Sequence, residues 1–384
     1  MIPYGRQNVT QADIDAVVEV LRSDFLTQGP AVPRFEAAVA KRVGVQHAVA
    51  AHTATSALHL ACLALGVGPG DLLWTVSNTF VASANCGRYC GADVDFVDID
   101  PDTWNMSTES LRTKLVAANS QGRLPKVVVP VFFAGQPTEQ EEIWRLAKEY
   151  GFKVIEDASH AIGASRHGMP AGNCRWSDIT VFSFHPVKII TSGEGGMALT
   201  NDPVLAECMQ TLRSHGITRD RRRFRNSDPP SWHYEQQQLG FNFRMTDIQA
   251  ALGASQLTRL DEYVERRNEL ARAYDSALRH LPLQLPTVQA GNRSSFHLYV
   301  VRLQLDRIGR THRQVFDVMR ERGIGVNLHY APVHLQPYYR DLGFAPGQQP
   351  QAEAYAQSAL TLPLYPMLTE SQQREVVATL SGAL

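Results

Sequence analysis

A lysine just after an apolar run is the first residue whose setting suggests chemistry. The run from Thr180 to Phe184 leads through His185-Pro186-Val187 to Lys188, and the glycine-rich stretch Gly193-Glu194-Gly195-Gly196 follows soon after. A lysine beyond a buried strand loses hydration, which favours its neutral, nucleophilic amine. Lys188 is therefore a candidate catalytic residue, with an ordinary surface lysine as the alternative.

A second polar cluster follows the apolar pair Val154-Ile155 and consists of Glu156 and Asp157, with His160 three residues later. Two carboxylates at a strand end need water, a metal or a cationic partner, because an unpaired buried charge is costly. A protonated heterocycle could be that partner. The alternative is a half-exposed strand end, and His160 could contact a ligand or be a hydrogen-bonded core histidine.

A third segment, Ala51-His52-Thr53-Ala54-Thr55-Ser56-Ala57, places small residues and hydroxyls where a strand runs into a helix. Free N–H groups at a helix N-terminus suit phosphate, although plain N-capping is the alternative. A lysine that forms a Schiff base, an aspartate that holds a pyridinium nitrogen, and a phosphate site are what pyridoxal 5′-phosphate requires. The 31 residues from Asp157 to Lys188 leave room for one more strand, so both side chains could reach one site.

The elements that must position these residues alternate between apolar runs and helix-like segments from Gln46 to about Leu199. This pattern is typical of an α/β fold with a parallel sheet covered on both faces. Strands are predicted at residues 47–51, 72–76, 94–99, 127–133, 154–156, 179–184 and 196–200. Open α/β sheets bind ligands at the carboxyl ends of their strands, where the three segments fall.

Helices are predicted at residues 56–65 and 138–150, the second with a capping box that begins at Thr138 and a stop at Gly151. A further capping pattern at Thr246 opens one long amphipathic helix through Tyr274. We expect this helix to link a large domain with an N-terminal arm, residues 1–250, to a smaller α+β domain, residues 251–384. The smaller domain has strand-like runs at 296–304 and 325–330, with a helix between them.

Composition and local context exclude several classes of protein. The 384 residues carry 37 Lys and Arg against 38 Asp and Glu, a balance that does not suit nucleic-acid binding. The N-terminal residues lack the features of a signal peptide, and no apolar run approaches the roughly 20 residues of a membrane span. Five scattered cysteines suit a reducing compartment, and Cys86 and Cys90 have no further ligands nearby in the sequence. We expect a cytoplasmic protein without a metal site.

Two further segments need an interpretation. Gly66-Val67-Gly68-Pro69-Gly70 looks like a dinucleotide-binding fingerprint, but it follows a helix and precedes a strand, so we interpret it as a helix stop and a turn. Residues 219–225 contain five arginines and precede a proline-containing stretch in which no helix or strand is predicted. This arginine-rich segment is either a solvated loop or a mobile flap that contacts phosphate or a partner subunit.

The order of these motifs resembles that of the DegT/DnrJ/EryC1/StrS sugar aminotransferases over essentially the whole chain. The matching stretches lie at residues 26–29, 53–57, 156–161, 183–188, 193–196, 213–216 and 240–244. The resemblance implies a fold-type I pyridoxal phosphate-dependent transferase, with a mixed, mostly parallel sheet sandwiched by helices. Residues 183–188, 213–216 and 327–334, with Pro337-Tyr338-Tyr339, are most similar to family members of the pseudaminic acid pathway.

The resemblance also implies roles for individual residues. Lys188 would form the Schiff base and then shuttle a proton, Asp157 would bind the pyridine nitrogen, and His160 would lie by the cofactor's phenolic oxygen. Phe80 would stack on the cofactor ring, with an ordinary core aromatic as the alternative. The residues that would hold the phosphate are Thr55, Ser56, Ser183 and the Ala54 backbone, together with Asn242, which would reach the neighbouring subunit's site in a homodimer with shared active sites. The residues that would contact the sugar nucleotide are Tyr4, Phe25, Leu26, Thr27 and Tyr330.

By the same resemblance, L-glutamate would be the amino donor and a UDP-linked 4-keto-6-deoxy-N-acetylhexosamine of the L-arabino configuration the acceptor. D-configured UDP-sugars, GDP-sugars and dTDP-sugars remain open, and the arginine-rich segment could contact the diphosphate. Some family members are sugar dehydratases with a histidine in place of the lysine, and a silent binding protein would be expected to lack Lys188 or Asp157. Both residues are present, which favours the aminotransferase.

Overall fold

The chain folds into short strands separated by helices, as described by a computed structural model of residues 1–384. The strands are β1 (His47–Ala51), β2 (Leu72–Val76), β3 (Asp93–Val97), β4 (Val127–Val129), β5 (Lys153–Asp157), β6 (Ser165–Arg166), β7 (Met169–Pro170), β8 (Ile179–Ser183), β9 (Gly196–Thr200), β10 (Ile217–Thr218), β11 (Glu235–Gln236), β12 (Leu283–Gln284), β13 (Asn292–Arg293), β14 (Tyr299–Leu303) and β15 (Ala359–Leu362). The helices are α1 (Gln11–Leu21), α2 (Ala31–Val43), α3 (Ala54–Ala64), α4 (Ala82–Tyr89), α5 (Thr108–Ser120), α6 (Gln140–Tyr150), α7 (Pro203–Arg213), α8 (Asp247–Leu257), α9 (Leu260–Leu278), α10 (His312–Glu321), α11 (Pro337–Asp341), α12 (Pro350–Ala356) and α13 (Glu370–Ala383). Short 3-10 turns lie at Phe133–Gly135, Arg221–Arg223 and Val333–Leu335.

The central sheet has seven strands in the order β1-β9-β8-β5-β4-β2-β3. Strands β3, β2, β4, β5 and β8 run parallel to one another, whereas β9 runs antiparallel to both β8 and β1. β9 follows β8 through a loop without a crossover helix, and a connection of this kind joins antiparallel neighbours. The predicted fold class, a mixed and mostly parallel sheet between helices, is confirmed.

Both faces of this sheet are buried, which explains why its strands are apolar at nearly every position. One face packs against α3, α4 and α7 through side chains such as Val49, Leu73 and Val181. The other face presents Ala50 to α2 and α8, and Trp74 to α5 and α6. Because helices cover both faces, a ligand has access to the sheet only at the ends of its strands.

Proline and turn chemistry shift two of the predicted boundaries. β4 ends at Val129 rather than at Phe133, because Pro130 has no N–H for the ladder and the chain enters a 3-10 turn. The capping box predicted at Thr138 does not form, because α6 begins only at Gln140, after Glu139. Gly151 ends α6 as predicted, and residues 66–70 join α3 to β2.

The long helix predicted from Thr246 is in fact two helices. α8 begins at the predicted capping box, where Thr246 Oγ1 accepts a hydrogen bond from the backbone N–H of Gln249. It ends at Leu257, and α9 begins at Leu260. The prediction of one continuous helix is wrong, because the backbone at Arg259 is not helical, with φ −106° and ψ 11°. The side chain of Arg259 pairs with Asp13, a buried carboxylate in the first turn of α1.

The C-terminal part has its own antiparallel sheet, β12-β14-β15, packed against α9, α10 and α13. The strand predicted at 325–330 does not form, because only Asn327 pairs with the neighbouring strand, through an isolated bridge to Thr361. His329 and Tyr330 both line the cavity, whereas a strand would point them to opposite sides. The proposed division into residues 1–250 and 251–384 falls within α8 and stays a prediction. None of the helices combines the length and apolar character needed to cross a membrane.

Candidate active site

A cavity of about 590 Å³ lies at the carboxyl ends of β5 and β8, beside the first turn of α3. His297 and the segment from Asn327 to Tyr330 close it from the C-terminal part of the chain. The residues singled out in the sequence that line it are Tyr4, Ala54, Thr55, Phe80, Asp157, His160, Ser183, Lys188 and Tyr330. The structure thus brings the three sequence segments together at a concave site large enough for a small molecule.

Lys188 lies in the loop between β8 and β9, in a tight turn where its backbone N–H donates to the His185 carbonyl. Its side chain reaches the cavity, with Nζ 3.5 Å from His297 Nε2. Burial lowers the pKa of Lys188 to about 8, although the nearby Asp157 carboxylate favours the charged amine. Such an amine is partly neutral near physiological pH, which suits a nucleophile or a base.

Glu156 and Asp157 are adjacent at the end of β5 but point to opposite sides of the sheet, as successive strand residues must. Glu156 is buried and accepts hydrogen bonds from Thr180 Oγ1 and Ser177 Oγ at 2.7 and 3.1 Å, so it belongs to the core. Asp157 faces the cavity, where Oδ2 accepts from Ser83 Oγ at 2.6 Å and Oδ1 accepts from the Ser159 N–H. A carboxylate has about four acceptor positions, so Asp157 can still accept a proton donor from the cavity.

The N-terminus of α3 faces the cavity through Ala54 and Thr55, whose N–H groups belong to the first turn and need no partner within the helix. Ser183, at the end of β8, lies opposite. Gly196 allows β9 to approach this turn, because an added Cβ would lie 2.4 Å from the Ala54 nitrogen. The result is a compact end of the cavity with the positive end of a helix dipole, as an anion requires.

The hydroxyl of Ser56, predicted to hold the phosphate, lies elsewhere. Ser56 Oγ is hydrogen bonded to Thr53 Oγ1 at 2.9 Å and lies 3.3 Å from His52 Nε2, and Ser56 does not line the cavity. Thr53 is the N-cap of α3, because its hydroxyl accepts from the Ser56 N–H. N-capping thus describes Thr53, whereas the role of Ser56 at the phosphate stays a prediction.

The aromatic side of the cavity is formed by Phe80 and Tyr330, whose ring centroids are 6.3 Å apart. Phe80 is 57% exposed, far more than a core aromatic, so its ring is accessible to a ligand in the cavity. His160 is buried, with Nδ1 accepting from the Ala134 N–H and Nε2 3.2 Å from the Tyr330 hydroxyl. Both ring nitrogens of His160 thus have protein partners, and burial lowers its pKa well below the usual value.

Four other predicted contact residues lie outside this cavity on the exposed surface of the chain: Phe25, Leu26, Thr27 and Asn242. The arginine-rich segment is also outside it, and its arginines pair locally, Arg222 with Asp220 and Arg223 with Glu207. These residues can meet a ligand of this cavity only by belonging to a second copy of the chain or by a movement of their loops. Their roles stay predictions.

Three residues at the site were not identified from the sequence: Ser83, His297 and His329. Ser83, in the first turn of α4, donates a hydrogen bond to Asp157, whereas His297 and His329 belong to the C-terminal part of the chain. Burial lowers the pKa of both histidines, for His329 to about 3, so both are neutral. The sequence assigned no role to these three residues, because the contacts that bring Ser83 to Asp157 and His297 to Lys188 join distant parts of the chain.

The residues of this cavity fit pyridoxal 5′-phosphate. Lys188 supplies an amine, Asp157 an acceptor for a protonated ring nitrogen, Phe80 an exposed aromatic face, and the N-terminus of α3 an anion site. The anion site, the carboxylate and the amine lie around one cavity, as a phosphorylated pyridine with a reactive carbon requires.

Comparisons with known proteins agree with this geometry. A model of the DegT/DnrJ/EryC1/StrS aminotransferase family matches residues 7–381. The spore coat polysaccharide biosynthesis protein SpsC of Bacillus subtilis is 36% identical over 379 residues, which cover 98% of this chain and 95% of that protein. The UDP-4-amino-4,6-dideoxy-N-acetyl-beta-L-altrosamine transaminase of Campylobacter jejuni is 35% identical, covering 100% of this chain and 98% of the relative. The solved structure of PseC from Helicobacter pylori, an aminotransferase involved in the biosynthesis of pseudoaminic acid, matches with a TM-score of 0.90 at 29% identity, covering 100% and 98%.

Proposed function

This chain belongs to the DegT/DnrJ/EryC1/StrS aminotransferase family, and from that premise we propose that it transfers the amino group of L-glutamate to C4 of a UDP-linked 4-keto-6-deoxy-N-acetylhexosamine. The family, the fold type, the pyridoxal phosphate cofactor and the sugar aminotransferase activity predicted from the sequence are confirmed. The acceptor sugar, with its L-arabino configuration and its place in pseudaminic acid biosynthesis, is our proposal. Similarity to a transaminase of that name over the whole chain supports it.

The observation that carries this proposal is the meeting of Lys188, Asp157 and the N-terminus of α3 at one cavity. Bound pyridoxal 5′-phosphate supplies a cationic ring that withdraws electrons from the carbon that carries the amine. Asp157 holds the proton on the ring nitrogen, since a carboxylate beside that nitrogen favours its charged form. Ala54, Thr55 and Ser183 would hold the phosphate end of the cofactor, and Phe80 would contact its ring.

The reaction balances as two half reactions. Glutamate leaves its amino group, its Cα proton and the electron pair of that C–H bond on the loaded enzyme and departs as 2-oxoglutarate, whose new keto oxygen comes from water. The sugar ketone then receives the nitrogen, the proton and the electron pair at C4, and its oxygen leaves as water. Lys188 moves the proton in each half, because its pKa of about 8 lets it accept and release a proton near neutral pH. Ping-pong kinetics are expected, since the first product leaves before the second substrate enters.

Two other activities are the alternatives to this proposal. A nucleotide sugar with GDP or dTDP, or with the D configuration, would use the same catalytic groups, and its discrimination depends on contacts such as those of Tyr4 and Tyr330. A sugar dehydratase is the second, but members with that activity carry a histidine where this chain has Lys188. The presence of Lys188 in the cavity, with its pKa lowered by burial, favours amino transfer over dehydration.

The test is incubation of the purified, cofactor-loaded protein with glutamate and a panel of 4-keto sugars linked to UDP, GDP or dTDP, followed by mass spectrometry. We expect 2-oxoglutarate and a 4-amino sugar, with the UDP-linked L-arabino substrate converted fastest. Lys188→Ala should abolish amino transfer, whereas Lys41→Ala, at an exposed position of α2, should leave it unchanged. Full amino transfer by Lys188→Ala would contradict the proposed mechanism, and preference for another sugar would correct the substrate alone.

The homodimer with shared sites and the cytoplasmic location belong to the same proposal. Asn242 and the 25–27 segment are exposed in the single chain, which supports their contact with a second copy. The arginine-rich segment would then bring positive charge to the diphosphate of the sugar nucleotide.

A further inference from the structure

We propose that His297 is a further catalytic residue, which holds the Lys188 amine by a hydrogen bond whenever that amine is free during the reaction. The inference rests on the proposed amino transfer, since only that reaction repeatedly releases the lysine within the site. His297 Nε2 lies 3.5 Å from Lys188 Nζ, and the imidazole is 4% exposed. The histidine therefore touches the reacting nitrogen from the side of the C-terminal part of the chain.

The backbone that carries His297 is held by a buried arginine. Arg267, in α9, is 1% exposed, and its Nη1 donates to the carbonyls of Phe296, His297 and Leu364 at 3.2, 3.3 and 2.9 Å. Burial of a charged donor without a carboxylate partner is unfavourable, and here three backbone carbonyls compensate by accepting its hydrogen bonds. These charge-assisted bonds in turn fix the loop at residues 296–297. This loop carries the imidazole into the cavity.

A close approach of two backbones fixes the same loop from the other side. Ser295 Oγ donates to the His160 carbonyl at 2.8 Å, and the Ser295 N–H donates to the Gly135 carbonyl. At Gly135, where φ is 101°, an added Cβ would lie 2.5 Å from Ser295 Oγ and 3.0 Å from the His297 nitrogen. The ring of His297 packs at 4.3 Å from that of His160. The imidazole is therefore placed by several elements that also build the cavity.

The protonation of His297 suits a lysine that changes its charge. Burial and the neighbouring Lys188 amine lower the pKa of His297 well below its usual value, so the ring is neutral. Its Nδ1 is buried and has no hydrogen-bond partner in the protein, which leaves the ring proton free to occupy either nitrogen. A neutral imidazole of this kind accepts a hydrogen bond from the ammonium form of Lys188 and donates one to the amine form.

Other titratable groups around this pair also act on Lys188. Those that face it or His297 are Asp157, His160, His185, Glu194, His329, Tyr330 and Arg267. Asp157 raises the pKa of Lys188, and the three buried histidines are neutral and add no charge. The hydrogen bond from the ammonium form is charge-assisted and is therefore stronger than the bond that the neutral amine receives. Removal of His297 thus shifts Lys188 toward the neutral amine.

The test measures the pKa of Lys188 in the cofactor-free protein, where no substrate or activity is needed. The pH dependence of Lys188 acetylation is followed by mass spectrometry, with the exposed Lys41 as internal reference. We expect His297→Phe to lower the pKa of Lys188 by about one unit, which is about tenfold in the ratio of amine to ammonium. In His297→Gln, whose amide still reaches Nζ, the pKa of Lys188 should return most of the way to the wild-type value. His280→Phe, at an exposed position, should leave the pKa of Lys188 unchanged.

Unchanged titration of Lys188 in His297→Phe would overturn the inference and would indicate a packing role. If the phenylalanine variant does not fold, His297→Asn replaces it, because its polar side chain is too short to reach Nζ. The pKa of Lys188 should fall in this variant too, and an unchanged pKa would overturn the inference. In the loaded enzyme, the alkaline limb of the kcat profile should shift with the same variants. Failure of the proposed function is recognised separately, because it would be the wild-type protein that transfers no amino group to any sugar of the panel.

Discussion

Asp157, proposed to hold the ring nitrogen of the cofactor, is positioned by Ser83. The Ser83 hydroxyl donates to Asp157 Oδ2 at 2.6 Å, and it also lies 2.8 Å from Thr79 Oγ1. A hydrogen bond to a charged group contributes about 1.5–3 kcal/mol, so we expect Ser83→Ala to raise the dissociation constant of pyridoxal 5′-phosphate about tenfold. Titration of the cofactor-free protein with pyridoxal 5′-phosphate, followed by absorbance, measures this change.

The control for that prediction is Ser120→Ala, because Ser120 is an exposed serine of α5 whose hydroxyl meets only a carbonyl of its own helix. Ser83→Thr keeps the hydroxyl and should bind the cofactor better than Ser83→Ala. Wild-type affinity in Ser83→Ala would mean that the Ser159 N–H alone keeps Asp157 in place.

At the scale of single residues, the sequence identifies groups that follow their own strand. Lys188 and Asp157 are recognisable because each comes at the end of an apolar run. The difference between Glu156 and Asp157 depends on which face of β5 is open, and it becomes visible only in the sheet. His297 contacts Lys188 across 109 positions of the chain, so no local pattern could have marked it.

The element that the sequence describes least well is the corner between α1, α8 and α9. Asp13 is fully buried there and accepts hydrogen bonds from Ser255, Gln256 and Arg259, the last with two contacts at 2.6 and 2.7 Å. Caps and glycine stops are local and could be predicted at Thr246 and Gly151. The break between α8 and α9 has no such local signal, and the Arg259 at this break pairs with a carboxylate almost 250 positions away.

Asp13→Asn is expected to lower the free energy of unfolding by about 2–3 kcal/mol at neutral pH, because it breaks a buried ion pair while keeping the size of the side chain. Burial alone would raise the pKa of Asp13, but the hydrogen bonds from Ser255, Thr10, Arg259 and Gln256 outweigh it and leave the pKa below its usual value. Urea denaturation of the two proteins, followed by circular dichroism, measures the difference.

The sign of the pH dependence follows from that lowered pKa. The folded protein favours the charged form of Asp13 more than the unfolded chain does. The contribution of Asp13 to the free energy of unfolding is therefore fully present above about pH 4, the pKa in the unfolded chain, and is lost as the pH falls through the lower pKa of the folded protein. The difference between wild type and Asp13→Asn should therefore shrink in acid. A constant difference would contradict the assignment, and Asp15→Asn, at an exposed position of α1, should behave as wild type.

The charge distribution of the whole molecule bears on the proposed homodimer. The chain is nearly neutral, with 37 basic and 38 acidic residues, and no arginine lines the cavity. Yet the proposed ligands include a phosphate, a diphosphate and the two carboxylates of glutamate. Lys188 cannot balance these charges, while the arginine-rich segment and Asn242 are exposed on the same chain. The proposed second copy would supply these residues to the site.

Mixed dimers test this arrangement. Lys188→Ala removes the amine of its own site, whereas Asn242→Asp should harm the site of the other copy by placing a carboxylate against its phosphate. The two variants are co-expressed with different tags, and the heterodimer of one Lys188→Ala chain and one Asn242→Asp chain is purified. It should have about half the wild-type activity per dimer, because one of its two symmetric sites then has both residues intact. A heterodimer of Lys188→Ala with Asp157→Asn should stay inactive, since each site lacks one of its own residues. Equal inactivity of both heterodimers would show that Asn242 acts within its own chain.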